Sequence, residues 1–341
     1  MKKKNSNGLM TSLLAVAAIA ALLIYYFFFS SMLSGSENSI VCIDEDDNID
    51  SVYAKLEPVT SGHAMIGFKS LVALSSYPDN IRTGRYEIEK GNGALTVFRK
   101  MKNGLQASVK LTIPTARTVD KLAGTIADKL MLDSVALYKA LTDTAVCSKY
   151  GYTPETIVCM FIPNTYEVYW NTTLDNFLDK MNKESTKFWS LEKQQKAKAM
   201  NLSKEEIMTL ASIVDEETAN DDEKPMIAGM YYNRLKAGMP LQADPTIKFA
   251  LKDFSIRRIY INMLNVKSPY NTYKNIGLPP GPIRVPSVAG IDAVLDHVHH
   301  KYLYMCAKED FSGTHNFATT YAEHLQNAAK YTEALNKRGI K

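Results

Sequence analysis

Three adjacent acidic residues, Asp215, Glu216 and Glu217, are the group in this 341-residue chain whose chemistry depends most on local folding. Ser203 and Glu206 match the capping-box pattern, which predicts that a helix begins there and continues through the acids. At about 100° per residue, the apolar residues of this helix form one face, made of Ile207, Leu210, Ala211, Ile213 and Val214. Glu217 falls within that face and the other two acids fall outside it. Only Glu217 is therefore predicted to point toward apolar surroundings.

The predicted position of Glu217 suits an acid catalyst. Burial disfavours the charged form of a carboxyl group, which raises its pKa and can keep it protonated near neutral pH. A protonated carboxyl group in a partly apolar cleft can protonate the leaving oxygen of a glycosidic bond. The alternative is that Glu217, close to the end of its helix, meets solvent or a basic residue. Helix geometry alone leaves both interpretations open.

A second carboxylate, Asp244, decides which reactions such an acid could support. In a hydrolase it would lie about 6.5–9.5 Å from Glu217 if the enzyme inverts, or about 5–5.5 Å if it retains configuration. Asp244 also directly precedes Pro245 and Thr246, a position typical of a helix cap. The pattern favours the cap.

Loops that follow the acids are rich in tyrosine, amide and hydroxyl side chains. They lie at residues 239–246, 270–273 and 277–283, and several prolines stiffen them. Flat aromatic faces and neutral amides suit sugar rings and N-acetyl groups. Each loop alone is typical of an ordinary turn, so only their combination with a candidate acid indicates a carbohydrate site.

Metal and nucleic-acid chemistry are disfavoured. His297, His299 and His300 do not have the H-E-x-x-H spacing and are predicted to be surface histidines, and none of the four cysteines forms a C-x-x-C pair. The net charge is +4, of which the lysines at positions 2–4 supply three charges. A nearly neutral remainder argues against nucleic-acid binding driven by charge.

An apolar segment near the N-terminus predicts a membrane anchor. Residues 13–29 are 17 consecutive apolar residues that end in YYFFF, and residues 9–33 are apolar apart from a few small polar side chains. This is close to the length that spans a bilayer, and the aromatic end suits the interface. A cleaved signal peptide is the alternative, although its apolar region is shorter. We predict a cytoplasmic tail at 1–8, a transmembrane helix at 9–33 and an acidic tether at 34–50.

The remaining chain predicts an α+β fold in two parts. Residues 51–114 have short mixed signals: helices near 67–75 and 94–101, and strands near 82–88 and 107–113. Longer helical patterns follow at 119–130, 134–144, 173–202, 203–220, 221–237 and 321–338. We therefore predict a small subdomain at 51–114 and a helix-rich domain at 115–341.

Several motifs resemble one known family. They are LASIVDEET at 210–218, YNRL at 232–235, GMPLQADPT at 238–246, YNTY at 270–273, GLPPG at 277–281 and GTHNF at 313–317. Their order is similar to that in the endolytic murein transglycosylases, the YceG-like (MltG) family. The likeness extends to the single anchor and to the loop at 161–166. Residues 82–86 look like part of that family's LysM-like subdomain.

The resemblance implies a lyase that cuts the β-1,4 bond between N-acetylmuramic acid and N-acetylglucosamine without adding water, and so limits glycan strand length. Glu217 would be its catalytic acid and base, with no cofactor and no metal. The motif positions imply further substrate-binding or supporting residues: Gln242, Asp244, Asn271, Tyr273, Tyr232, Asn233 and His315. The anchor would hold the catalytic domain on the cytoplasmic (inner) membrane, on its periplasmic or other extracytoplasmic side. The substrate would be peptidoglycan, and cell-wall synthases of the elongation or division complex would be candidate partners.

Two departures leave another class of function open. The family usually has Glu-Lys where this chain has Asp215 and Glu216, and often Asp at the position of Asn164. The first change removes a cation next to the candidate acid. A catalytically weak, glycan-binding scaffold is therefore the alternative to an enzyme.

Overall fold

A computed structural model describes residues 5–338, with side chains described from Gly8 onward. The chain forms two compact units, one of residues 1–111, 129–131 and 167–173, the other of residues 112–128, 132–166 and 174–341. Helices predominate, with small two-stranded sheets, so the predicted helix-rich α+β fold is confirmed. The lysines at positions 2–4 of the predicted tail and residues 339–341 of the predicted second domain lie outside the described residues.

The first unit begins with an exposed apolar helix. The helix α1 spans Asn5–Ile24 and continues into a π-helical turn at Tyr25–Phe29. The segment Gly8–Phe29 is long and apolar enough to cross a membrane, and none of its most apolar window is buried within the protein. An exposed apolar helix of this length supports a membrane anchor.

The remainder of the first unit packs around a two-stranded sheet. Its elements are β1 (Ser39–Ile43), α2 (Ile49–Leu56), α3 (Gly62–Ala73), β2 (Gly84–Ile88), α4 (Ala94–Asn103) and β3 (Ser108–Thr112). β1 pairs antiparallel with β2, so that Val41 lies opposite Tyr86. Leu56, Phe68, Tyr77, Ile88 and Met101 contribute to the core. The helices and strands predicted within 67–113 are all present.

The segment predicted to be a tether differs in the structure. Within residues 34–50, β1 buries Val41 and Ile43 and exposes Ile40, which is the alternation expected of a half-buried strand. Met32 and Leu33, predicted to end the transmembrane helix, also lie in the core of the first unit. The apolar alternation of these residues outweighs the acidic composition of the segment that follows.

The end of the apolar helix packs closely on α3 and α4. The ring of Tyr26 stacks on His63 with the centroids 4.1 Å apart, and His63 Nε2 forms a 2.8 Å hydrogen bond with Ser30 Oγ. A Cβ atom on Gly67 would lie 2.1 Å from the carbonyl oxygen of Phe27. Glycine is therefore required where the π-helical turn crosses α3.

The second unit is built mainly from helices. They are α5 (Val119–Ala127), α6 (Ser134–Thr142), α7 (Thr144–Lys149), α8 (Leu174–Phe188), α9 (Leu191–Ala199), α10 (Lys204–Glu217), α11 (Lys224–Lys236), α12 (Asp244–Leu251), α13 (Val288–Leu295) and α14 (Tyr321–Lys337). The strand β4 spans Thr165–Tyr169, and β5 (Tyr304–Ala307) pairs antiparallel with β6 (His315–Ala318). The four cysteines are free, and Cys147 and Cys159 are buried.

One predicted helix is divided in the structure. Residues 173–202 form α8 and α9, because the chain breaks at Trp189 and Ser190. The indole of Trp189 is buried, and the hydroxyl of Ser190 accepts a hydrogen bond from Lys193 N to cap α9. The single-helix prediction was wrong because a buried ring and a new cap stabilise the break more than continuous helix would.

The predicted start of α10 is confirmed, but the helix ends at Glu217, three residues before the predicted end at 220. Ser203 Oγ accepts from Glu206 N, and Glu206 Oε2 accepts from Ser203 N, which completes the capping box. Residues 207–214 are all buried. The following helix, α11, ends before Gly238, whose φ of 64° is left-handed, as expected of the residue after a helix end. These two helices carry most of the candidate site.

We expect Gly67→Ala to destabilise the first unit. The added methyl group would meet the Phe27 carbonyl at 2.1 Å, so the π-helical turn or α3 has to shift. The free energy of unfolding of the full chain in detergent should fall by about 1–3 kcal/mol, measured by thermal or chemical denaturation. The matched control is Gly62→Ala on the same helix, where a Cβ meets nothing within 4 Å. Equal stability of the two variants would contradict the close contact.

Candidate active site

The end of α10 is fixed through Asp215. Its carboxylate accepts hydrogen bonds from Ser287 N at 2.6 Å and Ser287 Oγ at 2.8 Å, and Lys224 Nζ lies 2.7 Å away. A Cβ on Gly290 would lie 2.5 Å from an Asp215 oxygen, so only glycine leaves room for this carboxylate. Asp215 therefore ties the end of α10 to the starts of α11 and α13.

Glu216 is neutralised by two arginines. Arg117 donates to both carboxylate oxygens, at 2.7 and 2.9 Å, and Arg284 Nη1 donates to Oε1 at 2.9 Å. The side chain of Glu216 is only 10% exposed, so these pairs compensate its desolvation. The charge of Glu216 is thus compensated by cations from elsewhere in the second unit.

Glu217, the last residue of α10, has a different environment. It is partly buried, and Tyr231 donates a 2.6 Å hydrogen bond to its Oε1 from α11. Burial raises the pKa of Glu217 to about 6, and the charge of Asp244 adds to this increase. The hydrogen bond from Tyr231 and the electrostatic contributions of His315 and Lys248 lower the pKa and so limit the increase. Near neutral pH the carboxyl group can therefore give up or take up a proton, as general acid–base catalysis requires.

Asp244 is the first residue of α12, and its side chain does not cap that helix. The cap position belongs to Ala243, whose backbone N–H donates to Thr272 Oγ1 at 3.0 Å. Asp244 Oδ1 instead accepts a 2.5 Å hydrogen bond from the Tyr273 hydroxyl. The cap interpretation was wrong because a side chain from a distant loop satisfies the start of α12. Asp244 and Tyr273 are thereby brought together beside Glu217.

Gln242 lies in a left-handed backbone conformation, with φ 51°. Gln242 N donates to Thr272 O at 3.0 Å, and the buried guanidinium of Arg234 donates to Leu241 O at 2.6 Å and Leu303 O at 2.6 Å. A strained conformation held by such contacts is typical of functional loops. The side chain of Gln242 is exposed, and its Oε1 accepts a 3.5 Å hydrogen bond from Arg234 Nη1.

Asn271 differs from its predicted role. Its side chain is completely buried and donates to Leu264 O at 3.0 Å and Val266 O at 2.8 Å, while Oδ1 accepts from Tyr273 N at 3.0 Å. A fully engaged amide has no group left for a sugar. Asn271 shapes the loop that presents Tyr273.

Tyr232 and Asn233 also act away from the carboxyl group of Glu217. The Tyr232 hydroxyl donates to Met200 O at 3.1 Å, and Asn233 Nδ2 donates to His300 O at 2.8 Å. They secure the end of α9 and the segment at 300–302. The residue that contacts Glu217 is their neighbour Tyr231, which sequence reasoning missed, because nothing in the sequence shows which face of α11 meets α10.

His315 lies in β6 and is held by Glu223. His315 N donates to Glu223 Oε1 at 2.6 Å, and Nδ1 lies 3.1 Å from Oε2. Glu223 is buried at the start of α11 and was not singled out by sequence. An electrostatic contribution from His315 lowers the pKa of Glu217.

The other histidines are less exposed than predicted. His299 is exposed, but His300 Nε2 lies 2.9 Å from Met226 O, and His297 Nδ1 lies 3.0 Å from Val294 O. Both rings are half-buried and hydrogen-bonded to backbone. They therefore have a structural role in packing the segment after α13.

The arrangement of acids, loops and supporting contacts can be compared with known proteins. The model of the YceG-like family matches residues 41–330, which is most of the chain. This protein belongs to the YceG-like family. A crystal structure of a YceG-like protein from Listeria monocytogenes is similar, with a TM-score of 0.56 and 27% identity, and covers 86% of this chain and 99% of that chain.

Two proteins that are similar in sequence to this YceG-like protein are named endolytic murein transglycosylases. The endolytic murein transglycosylase of Streptococcus pneumoniae is 27% identical over 326 residues, which cover 86% of this chain. The endolytic murein transglycosylase of Bacillus subtilis is 28% identical over 273 residues, 75% of each chain. The chain spans 58% of the length of the pneumococcal protein.

Replacing Tyr231 by Phe should raise the pKa of Glu217 above its value of about 6. The Tyr231 hydroxyl stabilises the charged carboxylate, so its removal favours the protonated form. The titration can be followed by carbon NMR of labelled glutamate side chains. Tyr232→Phe is the matched control, since its hydroxyl bonds Met200 O, and it should leave the titration unchanged. An identical titration in Tyr231→Phe would refute the assigned hydrogen bond.

The stability of Glu217→Gln should depend on pH. The pKa of Glu217 is raised from 4.5 to about 6, so the folded state holds its proton more tightly than the unfolded chain. Ionisation of Glu217 therefore removes stability as pH rises from 4.5 to about 6, by about 2 kcal/mol in total. Relative to wild type, Glu217→Gln should gain that amount between pH 4 and pH 7 in denaturation experiments.

Glu216→Gln is the contrasting control for that measurement. It removes the carboxylate that Arg117 and Arg284 share, so it should lose about 1–3 kcal/mol of unfolding free energy at pH 7. If Glu216→Gln also gained stability relative to wild type between pH 4 and pH 7, the distinct environments of the two acids would be wrong.

Proposed function

We propose that this protein is a membrane-anchored endolytic lytic transglycosylase of peptidoglycan, and that Glu217 is its catalytic residue. The observation that carries the proposal is a carboxyl group with a pKa of about 6 at the end of α10, beside Asp244 and Tyr231. The printed names of the relatives from S. pneumoniae and B. subtilis support the reaction class. The substrate is the β-1,4 bond between N-acetylmuramic acid and N-acetylglucosamine.

In the first step, Glu217 acts as the general acid. Its proton passes to the oxygen that links C1 of the muramic acid to the next sugar, and the C1–O bond breaks. Positive charge develops at C1 and on the ring oxygen, and the acetamido oxygen of the substrate can shield it. A group with a pKa near 6 is a stronger acid than water yet remains partly protonated near neutral pH, which suits this step.

In the second step, Glu217 acts as the general base. Its carboxylate takes the proton of the C6 hydroxyl of the same muramic acid, and the hydroxyl oxygen bonds to C1. The product is a 1,6-anhydro end, no water is consumed, and Glu217 regains its proton. The hydrogen bond from Tyr231 stabilises the carboxylate between the two steps.

The neighbouring residues would hold the sugar. The exposed amide of Gln242 is suited to an acetamido group, and its strained backbone fixes its direction. The Asp244–Tyr273 pair offers a hydrogen-bond acceptor and an aromatic ring to a sugar ring. We propose both as substrate contacts, and Asn271, Tyr232, Asn233 and His315 as residues that position the loops and α11.

Hydrolysis with Asp244 as the second carboxylate is the other candidate reaction. It is favoured by the charge of Asp244 acting on Glu217. Its products would be reducing ends, since water would attack C1. The engagement of Asp244 by the Tyr273 hydroxyl favours the transglycosylase, because this carboxylate is already committed to a protein donor.

The location of the protein follows from the same proposal. The segment Gly8–Phe29 would anchor it in the cytoplasmic membrane, with the N-terminus in the cytoplasm and the second unit outside. We propose that residues 51–114 belong to a LysM-like subdomain that binds glycan or positions the catalytic domain at 115–341. Cell-wall synthases are the proposed protein partners, and cleavage of nascent strands would limit their length.

The reaction can be tested on purified peptidoglycan with the full chain in detergent. We expect products with 1,6-anhydro-muramic ends, which mass spectrometry distinguishes from reducing ends by the loss of one water. Glu217→Gln should reduce the rate by about 10³-fold or more, because one residue supplies both proton transfers. The matched control is Glu192→Gln, an exposed acid on α9, which should keep the wild-type rate.

The outcome distinguishes the three candidate functions. Reducing ends that disappear in Asp244→Asn would identify a hydrolase. Full cellular function of Glu217→Gln, together with absence of cleavage by wild type, would favour the glycan-binding scaffold. Anhydro ends that persist in Glu217→Gln would remove Glu217 from the mechanism.

A further inference from the structure

A cavity of about 430 Å³ lies in the second unit. Phe249, Phe254 and Tyr270 supply aromatic walls, and the guanidinium groups of Arg117 and Arg284 line another side. The Phe249 and Tyr270 rings are 4.7 Å apart, and the guanidinium carbon of Arg117 lies 5.5 Å from the Phe254 centroid. We refer to the space bounded by these five residues as the aromatic cavity.

The aromatic cavity shares its structural elements with Glu217. Both arginines bond Glu216, the residue before Glu217 on α10. On α12, Lys248 acts on the charge of Glu217, and the next residue, Phe249, lines the cavity. The loop that contributes Tyr270 also carries Tyr273, the partner of Asp244. The aromatic cavity and the surroundings of Glu217 are therefore held by the same helix α12 and the same loop at 270–273.

The cavity contains charges of both signs that have no partner. Lys252, Asp120 and Glu155 line it, and none of them forms an ion pair among residues 5–338. The Nε atom of Arg284 is buried and has no hydrogen-bond partner among the described residues. A neutral sugar bound here would desolvate these groups without compensating their charge. A ligand with both carboxylate and ammonium groups would compensate them.

The aromatic walls restrict the ligand further. Three rings around a space of this size suit short apolar side chains and the flat faces of amide groups. Charged groups of both signs and small apolar groups occur together in a short peptide. In peptidoglycan, such a peptide is attached to the muramic acid, the sugar at which the proposed reaction occurs.

We propose that the aromatic cavity binds the peptide branch of the glycan strand, so that the protein acts preferentially on strands that carry their peptides. This inference rests on the proposed function, because it assumes that muramic acid occupies the site at Glu217. A carboxylate of the peptide would pair with Lys252 and its amino group with Glu155, and its apolar side chains would pack on Phe254.

The test compares two substrates and three variants of the full chain in detergent. The substrates are glycan strands with peptides and the same strands after an amidase has removed the peptides. Phe254→Ala and Lys252→Glu change the cavity without touching Glu216 or Glu217. Tyr260→Ala, an exposed aromatic residue outside the cavity lining, is the matched control.

We expect wild type to have about tenfold higher kcat/KM on the peptide-bearing strands. Phe254→Ala and Lys252→Glu should reduce this preference to about twofold or less by raising KM for those strands, with the rate on stripped strands unchanged. Tyr260→Ala should keep the full preference. Absence of a preference in wild type, or its persistence in both cavity variants, would overturn the proposal.

A separate readout keeps this inference distinct from the proposed function. The peptide released by the amidase is titrated by calorimetry into the full chain carrying Glu217→Gln, with and without Phe254→Ala. Saturable binding that Phe254→Ala weakens by about tenfold supports the cavity even if no strand is cleaved. Absence of binding overturns the cavity proposal, whereas absence of cleavage alone overturns the proposed function.

Discussion

The second unit depends on how the end of α10 accommodates three consecutive acids. Asp215 is held by Ser287 and Lys224, and Glu216 is shared by two arginines, so both carboxylates are neutralised by specific partners. Glu217 receives one neutral hydrogen bond, from Tyr231, and the charge of Asp244 opposes its ionisation. The contrast among adjacent residues gives one carboxyl group a pKa of about 6. A carboxyl group that exchanges a proton near neutral pH therefore results mainly from the burial of Glu217, next to two acids whose charges are compensated.

The loop before α12 is positioned by buried polar groups. Burial lowers the pKa of Arg234, and its guanidinium makes up for lost hydration by donating to the carbonyls of Leu241 and Leu303. The hydroxyls of Thr246 and Thr272 lie 2.8 Å apart and bond the backbone around Ala243. Such satisfied networks are rigid because any movement leaves a buried donor unpaired. They hold Gln242 in its left-handed conformation and set Asp244 against Tyr273.

The first unit is constrained by close backbone contact. Gly67 and Gly93 each lie against a carbonyl of the π-helical turn, of Phe27 and Phe28 respectively. Packing at this distance makes the end of the apolar helix part of the folded unit. Met32, Leu33 and the strand β1 continue the same packing, so little flexible chain separates the apolar helix from the core. A membrane anchor of this kind would fix the first unit close to the bilayer surface.

The sequence by itself determined local structure and the side of its helix on which Glu217 lies. The capping box at Ser203, the left-handed Gly238 and the apolar face containing Glu217 are local patterns, set by hydrogen bonds and side-chain direction within one helix. Only the tertiary structure decided the partners: Tyr231 for Glu217, Tyr273 for Asp244, and backbone carbonyls for Asn271. These contacts join residues from separate helices and loops. Packing between helices selects which face meets which, and no sequence spacing encodes that choice.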